Sequence, residues 1–202
     1  MIRLYGMTGS GNCWKPAVLL RQLGIGFEWI EVSILQGESR TPAFLALNPN
    51  GRVPLMELQP GQLLAESNAM LCHFAEGTRY LPPPGYSRSK VLEWMFFEQY
   101  SHEPYIATVR WWIHFLGKRE EWREKIIEAR KRGYAALGVM EQQLQKTPFL
   151  AGADYSIADI ALYAYTHVAD EGDYSLTDYP AVRAWLSRCQ VQPGFEPMRK
   201  QA

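Results

Sequence analysis

The chain has 202 residues and a mass of 23.2 kDa, with 21 basic and 21 acidic side chains and a formal net charge of zero. At 47% hydrophobic and 21% charged residues the composition is that of a globular protein and excludes a disordered one. The charge balance offers no general attraction to nucleic acid. Cys13, Cys72 and Cys189 form neither a disulfide framework nor a CxxC pair, which favours a reducing compartment. With no apolar leader and no run long enough to cross a bilayer, the expectation is a soluble cytoplasmic protein with no membrane and no nucleic-acid partner. An excess of aromatic side chains (7 Trp, 11 Tyr and 8 Phe) requires an explanation.

In chain order, residues 2–5 read as a strand, followed by a stretch rich in Gly, Ser and Asn, residues 6–12. Residues 16–23 read as a helix with Pro16 in its first turn and Gly24 as its stop. Residues 27–34 alternate loosely enough for a second strand, so the opening is a βαβ unit with a parallel pair. A short helix over 42–47 leads into the turn Asn48-Pro49-Asn50-Gly51. Residues 53–58 and Leu63-Leu64 then form a hairpin about Gln59-Pro60-Gly61. Ser67 or Asn68 caps a following helix that Gly77 ends.

The run Leu81-Pro82-Pro83-Pro84-Gly85 fits neither helix nor strand interior and reads as a linker. Strand signals vanish beyond it. Residues 88–116 read as one long helix, bent near Pro104. Residues 120–146 carry an apolar stripe at Ile127, Tyr134, Leu137, Gly138 and Leu144. Ser156 to Asp159 is a capping box opening a third helix, and residues 181–189 make a fourth. The expected organisation is an α/β unit over residues 1–80, a linker over 81–86 and an all-helical unit over 87–202.

Four features read as a site. Ser10, Asn12 and Cys13 stand where the first strand meets a helix N-terminus, whose free N–H groups and dipole favour an anion. Ser10 can donate to a thiolate there, or simply cap the helix. Cys13 reads equally as a reactive thiol or an inert buried one. Val53-Pro54 opens a strand after a Gly turn, a place for either proline isomer. Glu66-Ser67 suits an amino-acid moiety, ammonium on the carboxylate and carboxylate on the N–H and hydroxyl, or a plain helix cap. The histidines show no spacing for a metal site, and no metal is expected. Eight aromatics over residues 94–115 exceed what one buried stripe needs, and some are expected to face a cleft or a partner.

Taken jointly, Ser10, NPNGRVP (residues 48–54), LAESNAM (64–70) and SIADIALY (156–163) resemble the cytosolic glutathione S-transferases of bacterial, serine-type character over nearly the whole chain. The resemblance implies a thioredoxin-like N-terminal domain followed by an all-α helical-bundle C-terminal domain, assembled as a homodimer. It implies a cis Pro54 with the Val53 backbone facing the cysteinyl part of glutathione, Glu66 and Ser67 on the γ-glutamyl part, and Arg40 and Arg52 on the glycyl carboxylate. It places the thiolate-stabilising hydroxyl on Ser10, with Asn12 second and Cys13 third. The tyrosine of another branch would fall on Gly6, and Tyr5 is expected to point elsewhere.

The expectation is a detoxifying transferase using glutathione as co-substrate and no metal. Its thiolate would attack a small hydrophobic electrophile held against Met7, Trp14, Tyr105 and Trp111. The rivals are a glutathione-dependent disulfide reductase or peroxidase, and a non-catalytic binding or regulatory protein on the same scaffold.

Overall fold

The computed structural model describes residues 1–198. The chain divides into two units: Met1–Glu76 together with the tail from Gln192, and Gly77–Val191. The division therefore falls at 76/77 rather than within 81–86. Tyr80 and Leu81 are buried, and Tyr80 O accepts the Ile157 N–H at 3.0 Å, so the start of the expected linker belongs to the helical unit. The tail belongs with the α/β unit rather than the helical one, and three contacts explain why. The Trp14 indole N–H donates to Glu196 O at 2.8 Å, Phe195 packs edge-on against Trp14, and Arg21 pairs with Glu196 at 2.6 Å.

The α/β unit has the expected order: β1 (Ile2–Gly6), α1 (Gly11–Gln22), β2 (Phe27–Glu31), α2 (Pro42–Leu47), β3 (Leu55–Gln59), β4 (Gln62–Ala65) and α3 (Ser67–Ala75). The strands lie in the order β2-β1-β3-β4, with β1 and β2 parallel and β3 antiparallel to β1 and β4. Leu4, Ala17, Leu20, Met56 and Met70 form a buried cluster drawn from β1, α1, β3 and α3. Helix α1 starts five residues earlier than expected, capped by Ser10, and holds Pro16 in its interior. A proline there removes one backbone hydrogen bond. Burial of nine of the helix's twelve residues outweighs that loss.

The helical unit comprises α4 (Tyr86–Phe97), α5 (Glu103–Arg110), α6 (Arg123–Leu144), α7 (Ile157–Thr166) and α8 (Pro180–Gln190). The long helix expected over 88–116 is interrupted by two π-helical turns, Glu98–His102 and Trp111–Phe115. Pro104 lies in the first turn of α5, and its missing N–H and ring favour widening of the turn before it. On α6 the stripe shifts by one residue at its start: Ile126 is buried and Ile127 is half exposed, while Leu137 and Leu144 are buried as expected. The capping box at Ser156 and Asp159 is present.

The aromatic excess separates into pairs and surface. Trp94 packs edge-on against Phe97, Trp111 stacks on Phe115, and Trp112 meets Trp122 edge-on. Phe96 and Tyr100 are exposed at 72% and 83%, so they are not core. No described helix is long and apolar enough to cross a membrane.

Candidate active site

Three segments converge at one end of the sheet because of strand register. β1 ends at Gly6, and the antiparallel pairing Tyr5↔Leu55 carries residues 53–54 to that same end. The pairing Leu55↔Ala65 does the same for the turn at Glu66-Ser67. The loop after β1, the turn before β3 and the turn after β4 thus share an edge, as strand pairing alone requires.

The first segment carries Ser10. Its backbone is extended (φ −83°, ψ 121°) and its Oγ accepts the Cys13 N–H at 3.4 Å. As a cap the oxygen accepts, and the same hydroxyl lies within hydrogen-bond reach of the Cys13 thiol, where it favours the thiolate. Asn12, two residues along, accepts a 3.3 Å hydrogen bond from Ser67 Oγ. Cys13 faces inward: it is fully buried, its Sγ accepts the Met7 N–H at 3.4 Å, and burial pushes its thiol up to about 11. Burial and the raised thiol favour reading Cys13 as an inert core cysteine over a reactive one.

Val53-Pro54 is cis and lies just outside the β3 ladder. Glu66 has φ 69° and ψ 113°, an unusual conformation for a residue with a side chain, and caps α3 without a side-chain bond. Such backbone costs about 1–3 kcal/mol and tends to collect at functional sites. Glu66 is exposed and Ser67 buried. Helix α3 therefore starts at Ser67, and neither Ser67 nor Asn68 is its cap.

The arginines belong to a neighbouring turn. Arg40 Nη1 donates to Asn50 O at 3.0 Å, and a side chain at Gly51 would place Cβ 2.5 Å from that same Nη1. Asn48 braces the turn from inside, donating to Arg52 O at 2.8 Å and accepting from Asn50 N at 3.2 Å. Both arginines are exposed, and no hydrogen bond ties either to Ser10 or Ser67 among the described residues.

Met7, Ser10 and Trp14 line a cavity of about 540 Å³ together with Phe27, Trp29 and the charged Arg21, Glu31 and Glu196. The aromatic ring of Trp29 lies over Gly6, where an added Cβ would come within 2.7 Å of Trp29 Cη2 and 3.0 Å of Cys13 Cβ. Tyr5 points away, packing edge-on against Phe44. In the helical unit, the Tyr105 hydroxyl accepts from Arg132 Nη1 at 3.0 Å and Trp111 stacks on Phe115. No group of three or more His, Cys, Asp and Glu among the described residues is arranged to hold a metal ion.

Sequence reasoning missed Thr8, Trp29, Glu31 and the tail. Glu31 was within reach of it: a parallel β1–β2 pair of equal length sets Glu31 beside Gly6, next to the loop that carries Ser10. The tail gave no such signal, since its place depends on contacts across more than 180 residues.

Residues 4–79 match the sequence model of the glutathione S-transferase N-terminal domain, and residues 119–188 match that of the C-terminal domain. A solved glutathione S-transferase from Pseudomonas fluorescens is 53% identical, with a TM-score of 0.95 over 98% of each chain. Glutathione S-transferase 3 of Zea mays is 28% identical, the match covering 96% of this chain and 91% of the relative. The disulfide-bond oxidoreductase YfcG of Escherichia coli is 27% identical over 96% of this chain and 92% of its own.

Proposed function

Because the chain belongs to the glutathione S-transferase family, we propose that it is a glutathione transferase in which Ser10 stabilises the glutathione thiolate. The observation that carries this reading is the place of Ser10: it caps the N-terminus of α1 and lines a cavity beside Met7 and Trp14, where its hydroxyl can turn from the Cys13 thiol to a ligand sulfur. A free thiol ionises near 8.5, and each unit by which the site lowers that value is worth about 1.4 kcal/mol of thiolate stabilisation. One donor hydrogen bond and the α1 N-terminus both act in this direction.

Glutathione is the co-substrate. Its γ-glutamyl end meets Glu66 and Ser67, its cysteinyl backbone meets Val53 beside Pro54, and its glycyl carboxylate meets Arg40 and Arg52. Asn12, held by Ser67, is a second polar group beside the sulfur. The thiol proton leaves to solvent, the sulfur attacks the electrophilic atom, and that atom's leaving group departs with the bonding pair. Met7 and Trp14, both buried although they line the cavity, are the α/β unit's proposed contacts for the electrophile, and Tyr105 and Trp111 are the helical unit's candidates. The reading includes a cytoplasmic homodimer. The exposed Phe96 and Tyr100 support the dimer, being apolar surface a partner can cover.

A second reading is favoured by one finding, the similarity to a disulfide-bond oxidoreductase. There the same thiolate would attack a disulfide sulfur and a second glutathione would complete the reduction.

The test is conjugation of glutathione to a chloronitrobenzene by the wild type and by Ser10→Ala, beside reduction of a small glutathione mixed disulfide. Loss of conjugation by about a hundredfold in Ser10→Ala is expected, the scale of removing one stabilising donor. Full activity of Ser10→Ala overturns the role of Ser10. Absence of glutathione binding in calorimetry overturns both enzyme readings in favour of a non-catalytic protein.

A further inference from the structure

Resting on the assignment of Ser10 above, we infer that Glu31 is the positioning residue that holds the Ser10 loop in its working place. Glu31 ends β2 and pairs in register with Gly6, the last residue of β1. Its carboxylate accepts three hydrogen bonds. Oε1 takes the Thr8 backbone N–H at 2.8 Å, and Oε2 takes the Thr8 hydroxyl and the Trp29 indole N–H, each at 2.8 Å.

Two of these bonds seize Thr8 by backbone and side chain together, which fixes both its position and its rotamer. Thr8 is two residues before Ser10, and Gly9 between them has φ 82°, a conformation that glycine adopts readily and that leaves the loop easy to turn. One backbone bond closes the loop on itself, Ser10 N–H to Met7 O at 3.1 Å. The third Glu31 bond fixes the Trp29 ring over Gly6, so a single carboxylate sets both the loop and a ring that lines the same cavity. Only an ionised carboxylate supplies acceptors in all these directions with no donor hydrogen in the way.

The charge of Glu31 works against the reaction. A carboxylate near a developing thiolate disfavours it. A role through charge alone therefore predicts faster turnover when Glu31 is removed, and a role through position predicts slower turnover. The two differ in sign.

The experiment measures kcat and the glutathione KM for chloronitrobenzene conjugation in wild type, Glu31→Ala, Glu31→Gln and Thr8→Ala, with Glu31→Ala also placed in a Ser10→Ala background. Displacement of a reacting group by about 1 Å costs up to about a hundredfold, so Glu31→Ala is expected to lower kcat by about tenfold to a hundredfold. Glutathione KM is expected to stay within about twofold, because the groups assigned to bind glutathione are untouched. Glu31→Gln retains one acceptor oxygen and lies between wild type and Glu31→Ala, and Thr8→Ala moves kcat in the same direction with the fold intact. In the Ser10→Ala background Glu31→Ala causes no further loss. Unchanged or raised kcat in Glu31→Ala overturns the inference, as does an equal loss in both backgrounds. Should Glu31→Ala fail to fold, unchanged kcat in both Glu31→Gln and Thr8→Ala overturns it instead. Full activity of Ser10→Ala alone marks failure of the Ser10 assignment, whereas loss in Ser10→Ala with none in Glu31→Ala marks failure of the Glu31 role only.

Discussion

Ser67 Oγ donates a 3.3 Å hydrogen bond to Asn12 Oδ1, joining the first residue of α3 to the first turn of α1 across 55 positions of chain. The bond sits between the segment assigned to the glutathione sulfur and the segment assigned to its γ-glutamyl end. It lets one ligand be felt at both.

Glutathione affinity is expected to register this link. Ser67→Ala removes a hydroxyl that serves Asn12 in the free protein and the γ-glutamyl carboxylate in the proposed complex. A hydrogen bond to a charged group is worth about 1.5–3 kcal/mol, so the dissociation constant for glutathione is expected to rise roughly tenfold to a hundredfold. Asn12→Ala weakens binding less, and the double variant falls short of the sum because the two side chains share one interaction. Calorimetric titration of the four proteins checks this; strict additivity would count against the link.

Thiol reactivity follows burial. Cys13 and Cys189 are fully buried, and desolvation is the main cause that raises both thiols, Cys13 to about 11. Cys72 is the partly exposed one. Brief treatment of the native protein with iodoacetamide near neutral pH is expected to label Cys72 first, with Cys13 and Cys189 labelled only after unfolding. Peptide mass mapping of the modified sites is the measurement. Rapid native labelling of Cys13 would contradict its reading as an inert core cysteine.

Asp159 gives the helical unit a pH dependence of its own. Its carboxyl is fully buried and accepts from Leu150 N, Ser156 N, Ser156 Oγ and the Trp185 indole N–H at 2.8–3.2 Å. Burial raises it from the ordinary 3.8 to about 6 despite those donors. The native state thus binds this proton more tightly than the unfolded one. The group's contribution is fully present below about 3.8, and it is lost as pH rises through about 6. Asp159→Asn, which turns an amide N–H toward buried donors, is expected to lose about 3 kcal/mol at pH 7. The gap to wild type should widen by up to about 3 kcal/mol as pH falls through that window. Denaturant unfolding of both proteins across the window measures it, and a gap that narrows would contradict the assignment.

Much of this architecture was readable in advance where the deciding physics is local. Turn chemistry at Asn48–Gly51 and Pro60-Gly61 marked the third strand and its hairpin, and Ser156 to Asp159 spelled a capping box. The proposed site residues Ser10, Val53, Pro54, Glu66 and Ser67 each sit at a junction that sequence pattern can place. Other features resisted for a stated reason. Helix α1 runs through Pro16 because burial outweighs a lost backbone bond, and the long helix widens into its first π turn just before Pro104, whose ring and missing N–H must be accommodated within a packed bundle.

The opening numbers, neutral charge and many aromatics, determined a globular chain and left the site open. The sequence by itself determined the order of elements, the family and the junctions where polar groups would face a ligand, since these follow from spacing and turn preference. Only the tertiary structure decided that Cys13 turns inward, that the tail returns to Trp14, and that Glu31 grips Thr8. Each of those depends on which side chains meet across strands and helices distant in sequence, and no local pattern encodes such a meeting.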